Sequence, residues 1–171
     1  MDFAARERRT LQTLGLLTRG ALHQIANPLV ALVGSAELAL GELEPGTKAH
    51  DRVALAHRTG TEIAELVRAL QGFIRIQAQP AERLSLGHAA NDAIGLVSRV
   101  LPIHGVTLSA TGDAALVAPP GEVACALVEL LVEALQAADG AIELAVREET
   151  DGAVVTATGG GERRFPAEAP A

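Results

Sequence analysis

The chain has 171 residues, of which 14 are basic and 21 acidic, and its formal net charge at pH 7 is −7. Hydrophobic residues supply 49% of it and aromatic residues only 2%, so aliphatic side chains must build the core. The negative charge and the scarcity of stacking rings argue against a nucleic-acid-binding surface. A single cysteine excludes an intrachain disulfide and a cysteine-based zinc site. We find neither a signal peptide nor a window of membrane-spanning length without Arg, His or Glu, and therefore expect a cytoplasmic protein outside the membrane.

The first half of the chain carries the period of two long helices. Apolar or small residues alternate at spacings of three and four, first upstream of residue 44 and again between Asp51 and Arg75. Glu44-Pro45-Gly46-Thr47 has the composition of a helix-terminating turn. We therefore predict an antiparallel helical hairpin whose first helix runs from about Phe3 to Leu43. Its two seams are Thr18, Leu22, Ile25, Leu29, Leu32, Ala36, Ala39 and Leu43, and Val53, Ala56, Gly60, Ile63, Val67, Leu70 and Ile74.

A hairpin of two helices cannot cover both seams by itself. Two hairpins that pair into a dimeric four-helix bundle would cover them. Packing of the seams on the C-terminal half of the same chain would do so as well. We expect the homodimer.

Beyond residue 79 the pattern changes to mixed α and β. Two helical faces alternate with short apolar runs and glycine-containing turns, which predicts a small two-layer α/β sandwich, a sheet covered on one face by two helices. The domains are then a hairpin over 1–79 and an α/β domain over 80–160. The Gly- and Pro-rich residues 161–171 predict a flexible tail.

The segment Leu22–Leu29 of the first helix carries the residues best suited to chemistry. His23 follows a seam position and therefore points away from the bundle, and Asn27 lies one turn further along the same face. A solvent-facing imidazole is largely neutral at physiological pH and can act as a nucleophile. Pro28 stands inside the helical run, where it removes the backbone hydrogen bond to Gln24 and costs about 3 kcal/mol. The alternative is an ordinary surface histidine beside a proline that marks a helix boundary.

Residues 17–32, LTRGALHQIANPLVAL, resemble the phosphoacceptor box of bacterial sensor histidine kinases, which reads His-Glu-Ile-x-Asn-Pro-Leu after a small, glycine-containing turn of helix. The second helix, with Arg58 and its close at 73–75, is similar to the second dimerisation helix of that family. Residues 80–160 resemble the kinases' ATP-binding domain more weakly. The resemblance implies that His23 is the phosphoacceptor and that the hairpin dimerises.

The sequence departs from the family's pattern at positions that serve autophosphorylation and nucleotide binding in the kinases. Gln24 stands where kinases have Glu or Asp, and a neutral amide cannot act as a base. Glu129 and Glu133 occupy the two Asn positions of the kinases' magnesium-holding helix. Thr158 replaces the Asp that reads adenine, ahead of the glycines 159–161, and no nucleotide lid or second glycine box follows. The comparison therefore implies a degenerate ATP-binding domain, with no ATP, metal or other cofactor bound stably.

A kinase-like dimer that keeps the His box and loses the ATP site is similar to the histidine phosphotransferases of phosphorelays. That resemblance implies that His23 carries a phosphoryl group to or from a response-regulator aspartate, while Gln24 and Asn27 orient the transfer or a water. Magnesium would arrive on the partner receiver domain, and a hybrid histidine kinase is a further candidate partner. The docking surface would include Val30, Gly34 and Glu37.

Three other functions stay open. In the first, the chain is a fragment of an active sensor kinase. Glu133 and Thr158 argue against this function, because they are substitutions and not deletions. In the second it is a pseudokinase that binds a kinase or regulator as a scaffold or inhibitor, with His23 idle, and Gln24 favours this option. A phosphatase role, in which Gln24 or Asn27 places a water against a partner's phospho-aspartate, lies between these.

Overall fold

A computed structural model of the chain describes residues 3–101, 103, 105–137 and 140–167. Within these residues four helices and six strands follow one another in the order ααβαββαβββ. They divide into two compact units, Met1–Ile74 and Arg75–Ala171. The predicted boundary after residue 79 lies a few residues beyond this division. The predicted fold class, a helical hairpin followed by a small α/β layer, is confirmed, while the dimeric bundle stays a prediction.

The first unit is the helical hairpin. Helix α1 spans Phe3–Glu42 and α2 spans Lys48–Ile76, close to the bounds that the sequence predicted. The predicted turn between them is present, and Gly46 takes a φ of +82° there, a conformation that glycine adopts without strain. The Thr47 hydroxyl accepts a hydrogen bond from the His50 amide at 3.2 Å and thereby caps α2.

The two helices approach closely at Gly60 of α2. A Cβ atom at this position would lie 3.0 Å from Leu32 Cδ2 and 3.1 Å from Val33 Cγ2 of α1. Gly60, Ala64 and Val67 are the buried residues of α2. The contact fixes which residues of the antiparallel pair lie side by side.

The second unit is an α/β layer. Strands β2 (Thr107–Thr111), β4 (Ala141–Glu149), β5 (Gly152–Ala157) and β6 (Glu162–Pro166) form one sheet in the order β2-β4-β5-β6. Strands β2 and β4 are parallel, and the other pairs are antiparallel. Strands β1 (Glu82–Ser85) and β3 (Ala115–Ala118) form a separate antiparallel pair.

The core of this unit lies between its helices and its strands. Helix α3 spans Leu86–Val100 and α4 spans Pro120–Ala137. Because the sequence is poor in aromatic residues, the large side chains that are fully buried here are aliphatic. They are Leu86, Val97, Val123, Leu127, Leu130, Leu131, Ile142, Leu144, Val154 and Val155.

Asp113, in the loop between β2 and β3, ties that loop to the start of α3. Its Oδ1 atom accepts hydrogen bonds from the Gly87 amide and the Ser85 hydroxyl, both at 2.8 Å. These two bonds, the Gly87 amide first, hold the pKa of the Asp113 carboxyl below its ordinary value of 3.8. Ser85 accepts in turn from the His88 amide at 3.0 Å and is the N-cap of α3.

The prediction of a flexible tail over 161–171 is wrong for β6. This strand pairs with β5 in register, with Ala153 opposite Phe165, and the Phe165 side chain is buried. The pairing is possible because Gly152 has no side chain: a Cβ there would lie 2.0 Å from the Phe165 carbonyl oxygen. Residues 168–171, the rest of the predicted tail, lie outside the described residues.

Candidate functional site

His23 lies in the middle of α1 with its side chain exposed. In the described part of the chain its imidazole takes part in no hydrogen bond or ion pair. Gln24 and Asn27, the two amides predicted to assist it, are also exposed. The ring is therefore open to a partner.

Pro28 stands inside α1, which continues through it to Glu42. The sequence predicted this placement. Proline has no amide hydrogen, so the Gln24 carbonyl lacks its usual partner four residues on. The helix therefore lacks one backbone hydrogen bond next to His23.

Because an α-helix rotates by about 100° per residue, the residues of α1 can be assigned to separate faces. Leu22 is 8% exposed and lies on the face toward α2. Ile25, which the seam pattern placed inside the bundle, is 48% exposed in the single chain. It belongs to a stripe that runs down one side of the helix and also includes Leu14 and Leu32, both exposed. We call these three residues the apolar stripe.

The predicted site residues divide between two faces. His23, Asn27, Val30, Gly34 and Glu37 lie within about 80° of one another, on the side of α1 opposite the apolar stripe. We call them the His stripe. All of them are exposed except Gly34, which is half-buried.

Gln24 lies about 100° further around the helix from His23. The structure therefore does not bring it onto the His stripe, although it is adjacent in sequence. Leu38 is a residue that the sequence analysis missed. At 74% exposed, it follows Gly34 by one turn and continues the face away from His23, and we include it in the His stripe. The sequence feature that could have identified Leu38 is a large apolar residue at a position outside the seam pattern.

The second unit contains the positions at which kinases hold a nucleotide, according to the resemblance. Glu133 of α4 forms an ion pair with Arg163 of β6, with 2.6 Å between Oε1 and Nη2. Glu129 and Thr158 are exposed. Arg163 was not anticipated, because the sequence analysis assigned it to a flexible tail.

The three consecutive glycines form the turn between β5 and β6. The Gly160 amide donates to the Ala157 carbonyl at 3.0 Å, and the Thr158 amide donates to the Glu143 carbonyl at 3.0 Å. A Cβ on Gly160 would lie 3.0 Å from the Cβ of Ala134, so the turn packs directly on α4. The glycines therefore serve a tight hairpin.

One part of α1, Leu17–Glu42, is the segment among the described residues that is long and apolar enough to cross a membrane, by length and composition only. It carries Arg19, His23 and Glu37. A helix that buries its apolar side in a soluble protein passes the same test, so the finding is weak. A cytoplasmic location outside the membrane stays a prediction.

A helical hairpin with an exposed histidine in a His-box sequence, followed by a small α/β layer, is similar to the arrangement of histidine kinase-type proteins. Sequence comparison agrees. The chain is 27% identical over 156 residues to the sensor histidine kinase ZraS of Klebsiella oxytoca, a match that covers 88% of this chain and 34% of that protein. It thus spans about a third of this relative. No protein-family model matches the chain.

Solved structures of similar shape include ShkA, a full-length protein in complex with AMPPNP (TM-score 0.48, 16% identity, 82% of this chain and 32% of that one). A bacterial phosphotransferase gives a TM-score of 0.48 at 17% identity, over 91% and 71% of the two chains. A histidine kinase from Burkholderia phymatum STM815 gives 0.40 at 14% identity, over 80% and 65%.

Proposed function

We propose that the chain is a histidine phosphotransferase, which carries a phosphoryl group on His23 to or from an aspartate of a response-regulator receiver domain. The observation that carries the proposal is the exposure of His23, with Asn27, on an unbroken helix. Phosphoryl transfer needs little from a protein besides positioning and charge neutralisation. A histidine that a second protein can reach from solvent meets the first requirement.

The transfer is a simple displacement at phosphorus. A nitrogen of the His23 imidazole attacks the phosphorus of an aspartyl phosphate, the P–N bond forms, and the P–O bond to the aspartate breaks as the carboxylate leaves. In the reverse direction the carboxylate attacks and the imidazole leaves with its electron pair. Asn27, one turn from His23, is a neutral hydrogen-bond donor suited to orient the phosphoryl oxygens. Gln24 would act from the neighbouring face.

Part of the His stripe supports docking of the receiver. Val30 and Leu38 are exposed apolar side chains on either side of the small Gly34, and Glu37 adds one charge beside them. A few exposed apolar side chains next to a reactive group are typical of a surface that a partner covers. The receiver would bring its own magnesium ion.

The second unit supports a route that does not use ATP. Glu133 is a carboxylate where a kinase has an amide, and an ionised carboxylate has no N–H group to donate to a phosphate oxygen. It is already paired with Arg163, and the glycine turn packs on Ala134 with its Gly160 amide engaged. These residues do not fit a triphosphate and its magnesium ion.

The apolar stripe supports a homodimer. Leu14, Ile25 and Leu32 are exposed in the single chain and lie opposite His23. A second hairpin on that side would bury them and leave the His stripe free, as phosphotransfer requires. The dimer and the transfer thus use different faces of α1.

A second candidate is a fragment of an active sensor kinase, and the match to ZraS favours it. Labelling with radioactive ATP separates the two. The wild type, His23→Ala and the matched histidine control His88→Ala are incubated with labelled ATP alone. They are then incubated with labelled ATP, an active histidine kinase and a panel of receiver domains.

A phosphotransferase takes up label only in the second mixture, and only when His23 is present. Label from ATP alone would support the kinase fragment and overturn the proposal. If no receiver in a broad panel labels the wild type, while a stable complex with a kinase or a regulator forms, the chain is a scaffold.

A further inference from the structure

The surroundings of His23 are positively charged in an otherwise acidic chain. The net charge is −7, yet α1 carries no carboxylate between Glu7 and Glu37. Arg19 is the one charged residue between positions 10 and 36. It precedes His23 by four residues, so it lies one turn away on nearly the same side of the helix.

A second arginine, Arg68 of α2, lies at about the same level along the hairpin axis as His23. The contact of Gly60 with Leu32 and Val33 fixes the register of the hairpin. Arg68 follows Gly60 by eight residues, or about 12 Å along the axis. His23 precedes Leu32 by nine residues, or about 14 Å. Because the helices are antiparallel, both displacements run in the same direction, and His23 and Arg68 lie at about the same level of the hairpin.

Arg68 also lies on the same side of the hairpin as His23. Leu22 and Val67 are both buried and face the opposing helix. His23 follows Leu22, and Arg68 follows Val67, each by about 100° of rotation. In an antiparallel pair of right-handed helices, the residue that follows a facing residue on one helix lies on the same side of the pair as the residue that follows a facing residue on the other. His23 and Arg68 therefore lie on the same side of the hairpin.

Both arginines are available to a ligand. Their side chains are exposed, and neither forms an ion pair within the part of the chain that the structure describes. Glu65 stands three residues before Arg68 on α2 without pairing with it. Two guanidinium groups without a carboxylate partner thus flank one exposed imidazole.

We infer that Arg19 and Arg68 together bind the phosphoryl group of phosphorylated His23. The inference rests on the proposed function. A guanidinium presents a planar set of N–H donors that matches phosphate oxygens, and its charge does not depend on pH in the physiological range. The two arginines offset the charge that the phosphoryl oxygens carry and exchange no proton during transfer. They are positioning residues, and the nucleophile is His23.

The test uses phosphoramidate, a small anionic donor that requires no partner protein. A nitrogen of His23 attacks its phosphorus, the new P–N bond forms, and ammonia leaves with the electron pair of the broken bond. The rate of phosphohistidine formation is followed by ³¹P NMR at several salt concentrations. The variants are Arg19→Gln, Arg68→Gln, the double variant and the charge-retaining Arg68→Lys. Arg58→Gln, an exposed arginine of α2 on another face, is the matched control.

We expect each single Gln variant to slow the reaction by about two- to fivefold, the range of an exposed charge pair. The double variant is slower still and loses most of the salt dependence that the wild type shows, because screening acts through the removed charges. Arg68→Lys recovers part of the rate, and Arg58→Gln matches the wild type. A loss of fold would alter the circular dichroism of a variant and would not be restored by lysine.

Wild-type rates and an unchanged salt dependence in the double variant would overturn the inference. So would a wild type whose His23 accepts no phosphoryl group, because the arginines would then have nothing to hold. Arginine-dependent labelling of His23 without transfer to any receiver would contradict the proposed function and uphold this inference. A failure of this inference alone and a failure of the proposed function alone therefore give different results.

Discussion

Arg163 Nη2 of β6 lies 2.6 Å from Glu133 Oε1 of α4, thirty residues away in the sequence. The pair joins the last described strand to α4, at a position where the resemblance to sensor kinases leads one to expect an amide. It places a positive charge beside the carboxylate that stands there. The strand that the sequence analysis assigned to a flexible tail thus contributes a side chain to this position.

The Glu133–Arg163 pair should contribute little to the stability of the second unit. The side chains are 52% and 29% exposed, and solvent screens pairs of this kind. We expect Glu133→Gln and Arg163→Gln each to lower the free energy of unfolding by at most about 1 kcal/mol. Urea denaturation of the wild type, the two single variants and the double variant forms a double-mutant cycle, which gives the coupling free energy of the two side chains. A double variant that loses the sum of both single losses would show that the two charges are not coupled.

Gly152→Ala should disrupt the edge of the sheet. Gly152 has a φ of +150°, and an added Cβ would lie 2.0 Å from the Phe165 carbonyl oxygen. We expect a loss of about 2 kcal/mol or more, together with faster hydrogen exchange of the β6 amides. Gly95→Ala in α3 is the control, since its Cβ would meet only the flexible end of Arg99 at 3.3 Å. Equal effects of the two substitutions would contradict the proposed role of Gly152.

Asp113 should make the second unit sensitive to acid. Its pKa is lowered in the folded state, so its contribution to stability is present above the unfolded value and is lost as the pH falls through the folded one. We expect wild-type stability to fall as the pH drops below about 4, and Asp113→Asn to show a weaker dependence there. Urea denaturation between pH 7 and pH 3 measures this, with Asp151→Asn as an exposed control. Identical pH profiles for all three proteins would refute the prediction.

The sequence predicted the elements whose signals are local. The spacing of three and four residues defined α1 and α2, and Pro45-Gly46 located the turn between them. His23 and Asn27 lie on one exposed face because four residues amount to about one helical turn. These features depend on residues that are close together in the chain.

The features that the sequence did not predict depend on distant residues. Strand β6 pairs because Gly152 admits the backbone at Phe165, and no property of residues 162–166 alone indicates that. Arg163 acquires its partner from another element. The exposure of Leu38 becomes meaningful only once the opposing helix is known to cover a different face of α1.

The two exposed faces of α1 should respond differently to a negative charge. Leu14→Glu and Ile25→Glu place a carboxylate on the apolar stripe, and we expect them to convert a dimer into monomers. Leu38→Glu, on the His stripe, should leave the mass unchanged and slow phosphoryl transfer to a receiver by about tenfold. Light scattering after gel filtration gives the mass. A wild-type monomer, or a dimer that survives both stripe substitutions, would show that the apolar stripe is not the dimer interface.

Pro28→Ala tests whether the break in the α1 hydrogen bonds serves the site. Alanine restores the amide that donates to the Gln24 carbonyl, and it is the better helix former, so we expect the hairpin to gain about 1–3 kcal/mol. If the missing hydrogen bond and the local helix geometry position His23, the variant should transfer phosphate more slowly despite its greater stability. Thermal denaturation and single-turnover transfer are measured on the same preparations, with Gly41→Ala as a control, because an added Cβ there meets nothing within 4 Å. A more stable Pro28→Ala protein with an unchanged transfer rate would mean that the proline has no part in the reaction.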